Sequence, residues 1–260
     1  MLTISPIPAF SDNYIWAIQA MGNNECIVVD PGDAESVEQY LTAQQLRLTG
    51  ILITHHHFDH TGGISQLVRQ RDIPVYGPEN CKVPVITHTL QENDTVTVHN
   101  TPFTVISTPG HTLDHIAYFS GTGNTDPILF CGDTLFSAGC GRLFEGTPEQ
   151  MQQSLDKLSR LPENTRIYCA HEYTQANLAF AIRMEPENPC IKARLVEVEQ
   201  LRQHDKATLP SSIGLEKRTN PFLRTRKKAV INTIQDSMPL SNSPAPGEVL
   251  GIIRQWKDQF

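Results

Sequence analysis

A chain of 260 residues with 39% hydrophobic and 19% charged residues has the composition of an ordinary globular protein. It is long enough for one large domain or two modest ones. The opening "MLTISPIPAF" lacks the basic start and long apolar core of a signal peptide. Aliphatic runs such as "ILI" at 51–53 are far too short to cross a bilayer. A cytoplasmic protein with no membrane partner is therefore expected.

The net charge of -7 hides an asymmetry. Residues 1–170 carry 8 Lys+Arg against 18 Asp+Glu, whereas residues 171–260 carry 13 against 10. A nucleic-acid binder shows a basic footprint on its working domain, and the first part here has the opposite. The positive end suits a small anionic ligand instead. Six cysteines, Cys26, Cys81, Cys131, Cys140, Cys169 and Cys190, form no CxxC pair. Free thiols in a reducing compartment are the expectation.

Taken in chain order, β-type runs recur through the first two thirds: "NYIWAIQ", "CIVVD", "GILIT", "PVYG", "DTVTV", "FTVIST", "IAYFS", "ILFCGD" and "RIYCAHE", each bounded by turn-forming residues. Helical patterns fall between them, in "GDAESVEQYLTAQQL", "GGISQLVRQR" and "TPEQMQQSLDKLSRL". The last opens with Thr147 as N-cap, Pro148 at the first helical position and Gln150 completing a capping box. After His171 helices replace strands: "ANLAFAIRM", "CIKARLVEVEQLRQH" and "GEVLGIIRQWKDQF". An α/β domain over residues 1–170 and a smaller helical domain over 171–260 are expected.

Chemistry concentrates in "THHHFDH". On an extended segment His55 and His57 point the same way, and Asp59 with His60 follow at a turn. A strand's carboxyl end is where α/β folds place ligand sites. Imidazole with carboxylate and no cysteine suits reactive Zn, Fe or Mn rather than closed structural zinc. His111 in "STPGHTLDH", Asp133 in "LFCGDTLF" and His171 in "IYCAHEYT" likewise follow β-type runs. Seven such groups are too many for one ion and apt for two.

"THHHFDH" followed by His111, Asp133 and His171 resembles the ligand set of the metallo-β-lactamase superfamily. "AFSDNYIW", "TPGHT", "CGDTLFSAGCGRLFEGT", "CAHEYT", "NPFLR" and "RQWKDQF" narrow the resemblance to its glyoxalase II (hydroxyacylglutathione hydrolase) branch. It implies a metallo-β-lactamase-like αββα sandwich followed by a smaller C-terminal helical domain. It implies two divalent ions, zinc first and iron or manganese as alternatives. His55, His57 and His111 would bind one; Asp59, His60 and His171 the other; Asp133 would bridge them together with a water or hydroxide. Asp59 and Asp133 are the residues assigned to catalysis. Asp30, ending "CIVVD", is the candidate outer partner of a ligating histidine, with His115 as a second.

The implied reaction is hydrolysis of S-(2-hydroxyacyl)glutathione, S-D-lactoylglutathione foremost, as the second step of methylglyoxal breakdown, by a monomer. Arg142, Tyr173, Arg254 and Lys257 would bind the glutathione portion. Arg254 and Lys257 are three apart on the last helix and share a face, beside a separate apolar stripe of Val249, Ile253, Trp256 and Phe260. Two departures stand out: Phe144 where some relatives have tyrosine, and Asp114 where the family pattern has glycine. A lactonase or an iron persulfide dioxygenase on the same scaffold is the alternative.

Overall fold

Pro6 and Pro8 cannot donate to a β-ladder, so the strand containing them belongs at a sheet edge. In the computed structural model, which describes residues 2–121 and 127–260, that strand, β1 (Leu2–Ala9), does begin a sheet. It pairs antiparallel with β2 (Asn13–Ala20), from Leu2↔Ala20 to Ala9↔Asn13. β3 (Glu25–Val29) pairs antiparallel with β2 and parallel with β4 (Arg47–Leu52). Between them runs α1 (Ala34–Gln44), where Asp33 accepts from the Glu35 and Ser36 N–H groups as N-cap. β5 (Val75–Pro78) and β6 (His88–Leu90) complete six strands in sequential order.

Alternation sorts the sheet's two faces. Ile15, Ala17, Cys26, Val28 and Ile51 pack in one buried cluster with Val37 and Leu41 of α1 and Ile64 and Leu67. Trp16, Ile18, Val29 and Leu52 point the other way and are equally buried. The helix expected over "GGISQLVRQR" is shorter than its pattern suggests. The chain instead makes one turn, α2 (Phe58–Thr61), then α3 (Ile64–Val68). At the break, a Cβ on Gly63 would come within 2.5 Å of the Ala34 nitrogen. The backbones of the "DPGD" turn and the histidine loop touch there, and only glycine permits it.

A second set of neighbouring strands, β7 (Thr95–Val98), β8 (Thr101–Ser107), β9 (Ile116–Ser120) and β10 (Ile128–Gly132), is antiparallel throughout. These strands, with the first sheet and its helices, form one compact unit, residues up to Ser107 and Asp114–Gly132. Tyr118 of β9 donates its hydroxyl to the Ile53 carbonyl at 2.7 Å, tying this set to the first sheet.

The second compact unit comprises Thr108–Leu113 and Asp133–Phe260. It contains the hairpin β11 (Leu135–Phe136) and β12 (Gly139–Cys140), helix α4 (Pro148–Ser159), and β13 (Arg166–Cys169). There follow α5 (Thr174–Met184), α6 (Pro189–Gln203), β14 (Ser211–Ser212), α7 (Ile213–Thr219), α8 (Lys228–Gln235) and α9 (Pro246–Gln259). α4 begins with the expected capping box and buries Met151, Leu155 and Leu158. None of these helices is long and apolar enough to cross a membrane.

One buried carboxylate organises the hairpin. Glu216 of α7 is fully buried and accepts from the Ala138 N–H at 2.7 Å, the Asn220 amide at 3.1 Å and the Ser211 hydroxyl. Asn220 Nδ2 also donates to the Phe136 and Gly139 carbonyls. Ala138 sits in the left-handed region at φ 56°, so the turn needs these bonds. Burial pushes the Glu216 carboxyl above the ordinary carboxylate range. Its contribution to stability is therefore fully present below the unfolded value and lost as pH rises through the folded one. Glu216→Ala leaves several buried donors unmatched and should cost about 3 kcal/mol. Glu216→Gln should cost far less and gain on the parent as pH rises above the ordinary carboxylate range, both read by urea unfolding. Equal midpoints for all three proteins would refute the clamp.

Candidate metal centre

Each compact unit carries part of the ligand set. In the first, β4 runs into Ile53 and Thr54, and the strand end is fixed from both sides. Ile53 N–H donates to Tyr76 O, and Thr54 O accepts from Ile116 N–H. Asp30, itself in the left-handed region at φ 54°, accepts from the Thr54 N–H and hydroxyl, both at 2.7 Å. The Thr54 hydroxyl has thus spent its proton, so its oxygen, 3.1 Å from His55 Nδ1, accepts from that ring. His60 Nδ1 lies 3.0 Å from Asp30 Oδ2, again an acceptor. Both imidazoles are essentially fully buried. With Nδ1 protonated in each, Nε2 keeps its lone pair for a metal.

The α2 turn sets the remaining groups. His60 N–H and the Thr61 hydroxyl both bond the His57 carbonyl. His55 and His57 offer nitrogens within 4.8 Å of each other, as do His55 and His60. Asp59 Oδ2 lies 3.4 Å from His60 Nε2 and accepts from Asn13 Nδ2 at 3.0 Å. A Cβ on Gly32 would stand 1.8 Å from the Asp59 carbonyl oxygen, so glycine is obligatory where the "DPG" turn meets this residue. His115 is buried and stacks on His55, centroids 4.7 Å apart.

In the second unit, His111 Nδ1 is 2.8 Å from the Arg142 carbonyl oxygen, which can only accept. That bond again leaves Nε2 unprotonated. One oxygen of the buried Asp133, Oδ2, lies 3.4 Å from His111 Nε2 and 3.4 Å from His171 Nε2. Two ligand atoms each about 2.1 Å from one tetrahedral ion stand about 3.4 Å apart. The spacing in both units fits ions shared between neighbouring ligands, and the donor set of imidazole and carboxylate suits Zn, Fe or Mn.

The cationic residues lie in this same unit, but not as the helix pattern suggested. Arg254 is 7% exposed and belongs to the packed side of α9, next to Val249, Leu250 and Ile253. Its Nη1 donates to Cys140 O at 2.8 Å, its Nη2 to Asp258 at 3.1 Å, and its guanidinium covers the Phe222 ring. Its buried Nε has no hydrogen-bond partner among the described residues. Lys257 donates to the Ala176 carbonyl at 3.2 Å and lies over Phe180 and Phe260. Burial first, then the Arg254 charge, hold its amine below the ordinary lysine range. Phe260, placed in the apolar stripe, is 52% exposed. Arg142 Nε pairs with Asp258 at 3.3 Å. Tyr173 stacks on His171 at 4.7 Å and 5°, and exposed Phe144 meets His111 edge-on at 5.3 Å. Arg142, Phe144, Arg254 and Asp258 line a cavity of about 450 Å³. Sequence reading missed Asn13 and Thr54, although Asn13 falls within the quoted "AFSDNYIW".

Residues 10–171 match the metallo-beta-lactamase superfamily, and residues 172–260 match the hydroxyacylglutathione hydrolase C-terminus. A hydroxyacylglutathione hydrolase of Idiomarina loihiensis is 49% identical, with 99% of each chain covered. One of Shewanella halifaxensis is 50% identical over the whole of both chains. Among solved structures, ETHE1 from Myxococcus xanthus superposes with a TM-score of 0.65 at 24% identity, covering 99% of this chain and 98% of that one. The BLEG-1 B3 metallo-β-lactamase gives 0.61 at 24% identity, covering 86% and 99%. At such identities these two establish the fold alone.

Asp30 holds Thr54 and His60 together, so Asp30→Ala should lower both stability and retained metal. Two buried Thr54 donors left unmatched imply a loss of about 2–4 kcal/mol. Metal measured by atomic emission after dialysis against a weak chelator should fall well below the parent's. Full retention would show that His60 needs no such partner.

Proposed function

We propose, from the premise that the chain belongs to the hydroxyacylglutathione hydrolase family of the metallo-β-lactamase superfamily, that it hydrolyses S-(2-hydroxyacyl)glutathione thioesters at a two-ion centre. S-D-lactoylglutathione is the foremost substrate, and D-lactate and glutathione are the products. The observation that carries this reading is the single Asp133 oxygen standing 3.4 Å from both His111 Nε2 and His171 Nε2, the arrangement a bridging ligand requires. His55, His57 and His111 would hold one ion, and Asp59, His60 and His171 the other. Zinc is the first candidate, with iron or manganese as alternatives.

When bound, the ions supply an activated water near neutral pH and positive charge opposite the thioester carbonyl oxygen. The chain's own residues do the rest. The Thr54 hydroxyl and the Arg142 carbonyl hold the Nδ1 protons of His55 and His111, and Asp30 Oδ2 lies 3.0 Å from Nδ1 of His60, so each ring is oriented from behind. Asn13 orients the Asp59 carboxylate. Hydrolysis breaks the C–S bond and forms a C–O bond from water. The departing thiolate is stable enough that no strong general acid is needed.

The glutathione portion brings two carboxylates and an amine. Arg142, Arg254 and Lys257 answer the carboxylates; the buried, unengaged Nε–H of Arg254 is a donor awaiting an acceptor. Tyr173, stacked on His171, offers a hydroxyl as a further donor to the glutathione portion. Residues 1–170 are the catalytic domain and lend Arg142 to the substrate, while 171–260 are the substrate-binding domain and lend His171 to the ions, in a cytoplasmic monomer whose partner is a small molecule. A single-iron dioxygenase is the weaker reading, because Asp59, His60, Asp133 and His171 supply a second set of ligands.

Purified protein should consume S-D-lactoylglutathione, seen as loss of thioester absorbance, and a chelator should abolish the loss. No loss from metal-loaded protein would overturn the assignment. Lys257→Ala should raise KM about tenfold with little change in kcat or bound metal. Unaltered kinetics would remove Lys257 from the substrate site.

A further inference from the structure

His56, between His55 and His57, has no part in the ligand set, yet its ring is held firmly. Its Nδ1 lies 2.9 Å from Asp114 Oδ1, and the Asp114 side chain is only 6% exposed. A carboxylate that deeply buried is costly without a partner. The Cys81 thiol, kept neutral because burial, with Asp114 a lesser contributor, pushes it up to about 12, also hydrogen-bonds Asp114, and His56 is the ring that joins it at the carboxylate.

The pair's position along the chain gives it a purpose. His56 lies between two proposed ligands of the first ion, and Asp114 follows the third, His111, by three residues. On one side of His56 the backbone is anchored where Thr54 O accepts from Ile116 N–H. On the other, the His57 carbonyl accepts from His60 N–H and Thr61. The peptide units between those anchors carry both His55 and His57, and the His56 side chain grips them from outside the ligand set. We propose that the His56–Asp114 bond is a pin for the first metal position, with Asp114 a positioning residue that fixes the loop carrying His55 and His57. The pin rests on the assignment of His55, His57 and His111 to one ion.

The test is competition of Co²⁺ between a chromophoric chelator and the full-length, metal-stripped chain. The variants are Asp114→Gly, His56→Leu, the two combined, and His56→Asn, whose amide can replace the ring Nδ1–H donor. One of the two equivalents should bind about tenfold or more weakly in each disrupted single variant, the usual effect of losing a partner outside the ligand set. The double variant should bind no more weakly than either single. His56→Asn should recover most of the affinity and the parent's visible Co²⁺ spectrum. Parent-like affinity for both equivalents in Asp114→Gly and His56→Leu overturns the pin, as do losses that multiply in the double variant. If Asp114→Gly does not fold, His56→Leu against His56→Asn decides: equal affinity in the two overturns it. A parent chain that takes up no Co²⁺ overturns the proposed centre and the pin with it, whereas a fully loading parent with unaffected variants overturns the pin alone.

Discussion

An imidazole can serve a metal ion through one nitrogen only if something else fixes the proton on the other. Much of the local architecture of this chain follows from that requirement. For His55 the fixing group is the Thr54 hydroxyl, which accepts only because it has already given its proton to Asp30. For His111 it is a backbone carbonyl, and beside His60 the Asp30 carboxylate lies 3.0 Å from Nδ1. Asp30 therefore stands behind two histidines at once. Its left-handed backbone and the adjoining Gly32 allow the turn to reach that position. Turn chemistry, often regarded as mere connection between strands, here decides which nitrogen each ring presents.

How much of this was legible in the sequence depends on the range of the signal. Period-two runs and a capping box are local, and the strands β2 to β5 and helix α4 follow from them. β1 escaped notice because Pro6 and Pro8 argue against a strand until its edge position is known. The seven candidate ligands were legible because their density has no packing explanation. Asn13 and Thr54 were not, since an asparagine opening a strand or a threonine ending one has many ordinary reasons to be there. The burial of Arg254 was out of reach for a related reason: helical spacing predicts a face, but whether a cation on that face is solvated depends on contacts far away in sequence. The Cys140 carbonyl and the Phe222 ring draw it inward.

The hairpin around Ala138 shows the same economy with a different chemistry. A buried acid and a buried amide, Glu216 and Asn220, collect donors and acceptors from a turn that would otherwise be strained. Beyond that turn the same stretch of chain offers Cys140 O to Arg254 and Arg142 O to His111. A buried guanidinium and a buried imidazole are thus both steadied by backbone carbonyls. Such contacts depend on the path of the chain and barely at all on which side chains occupy it.

The six residues from Thr108 to Leu113 belong to the second compact unit although the chain on both sides belongs to the first. The polypeptide therefore changes unit three times, and no single cut separates them. A gene fragment ending at any one point would leave one unit without a piece of itself.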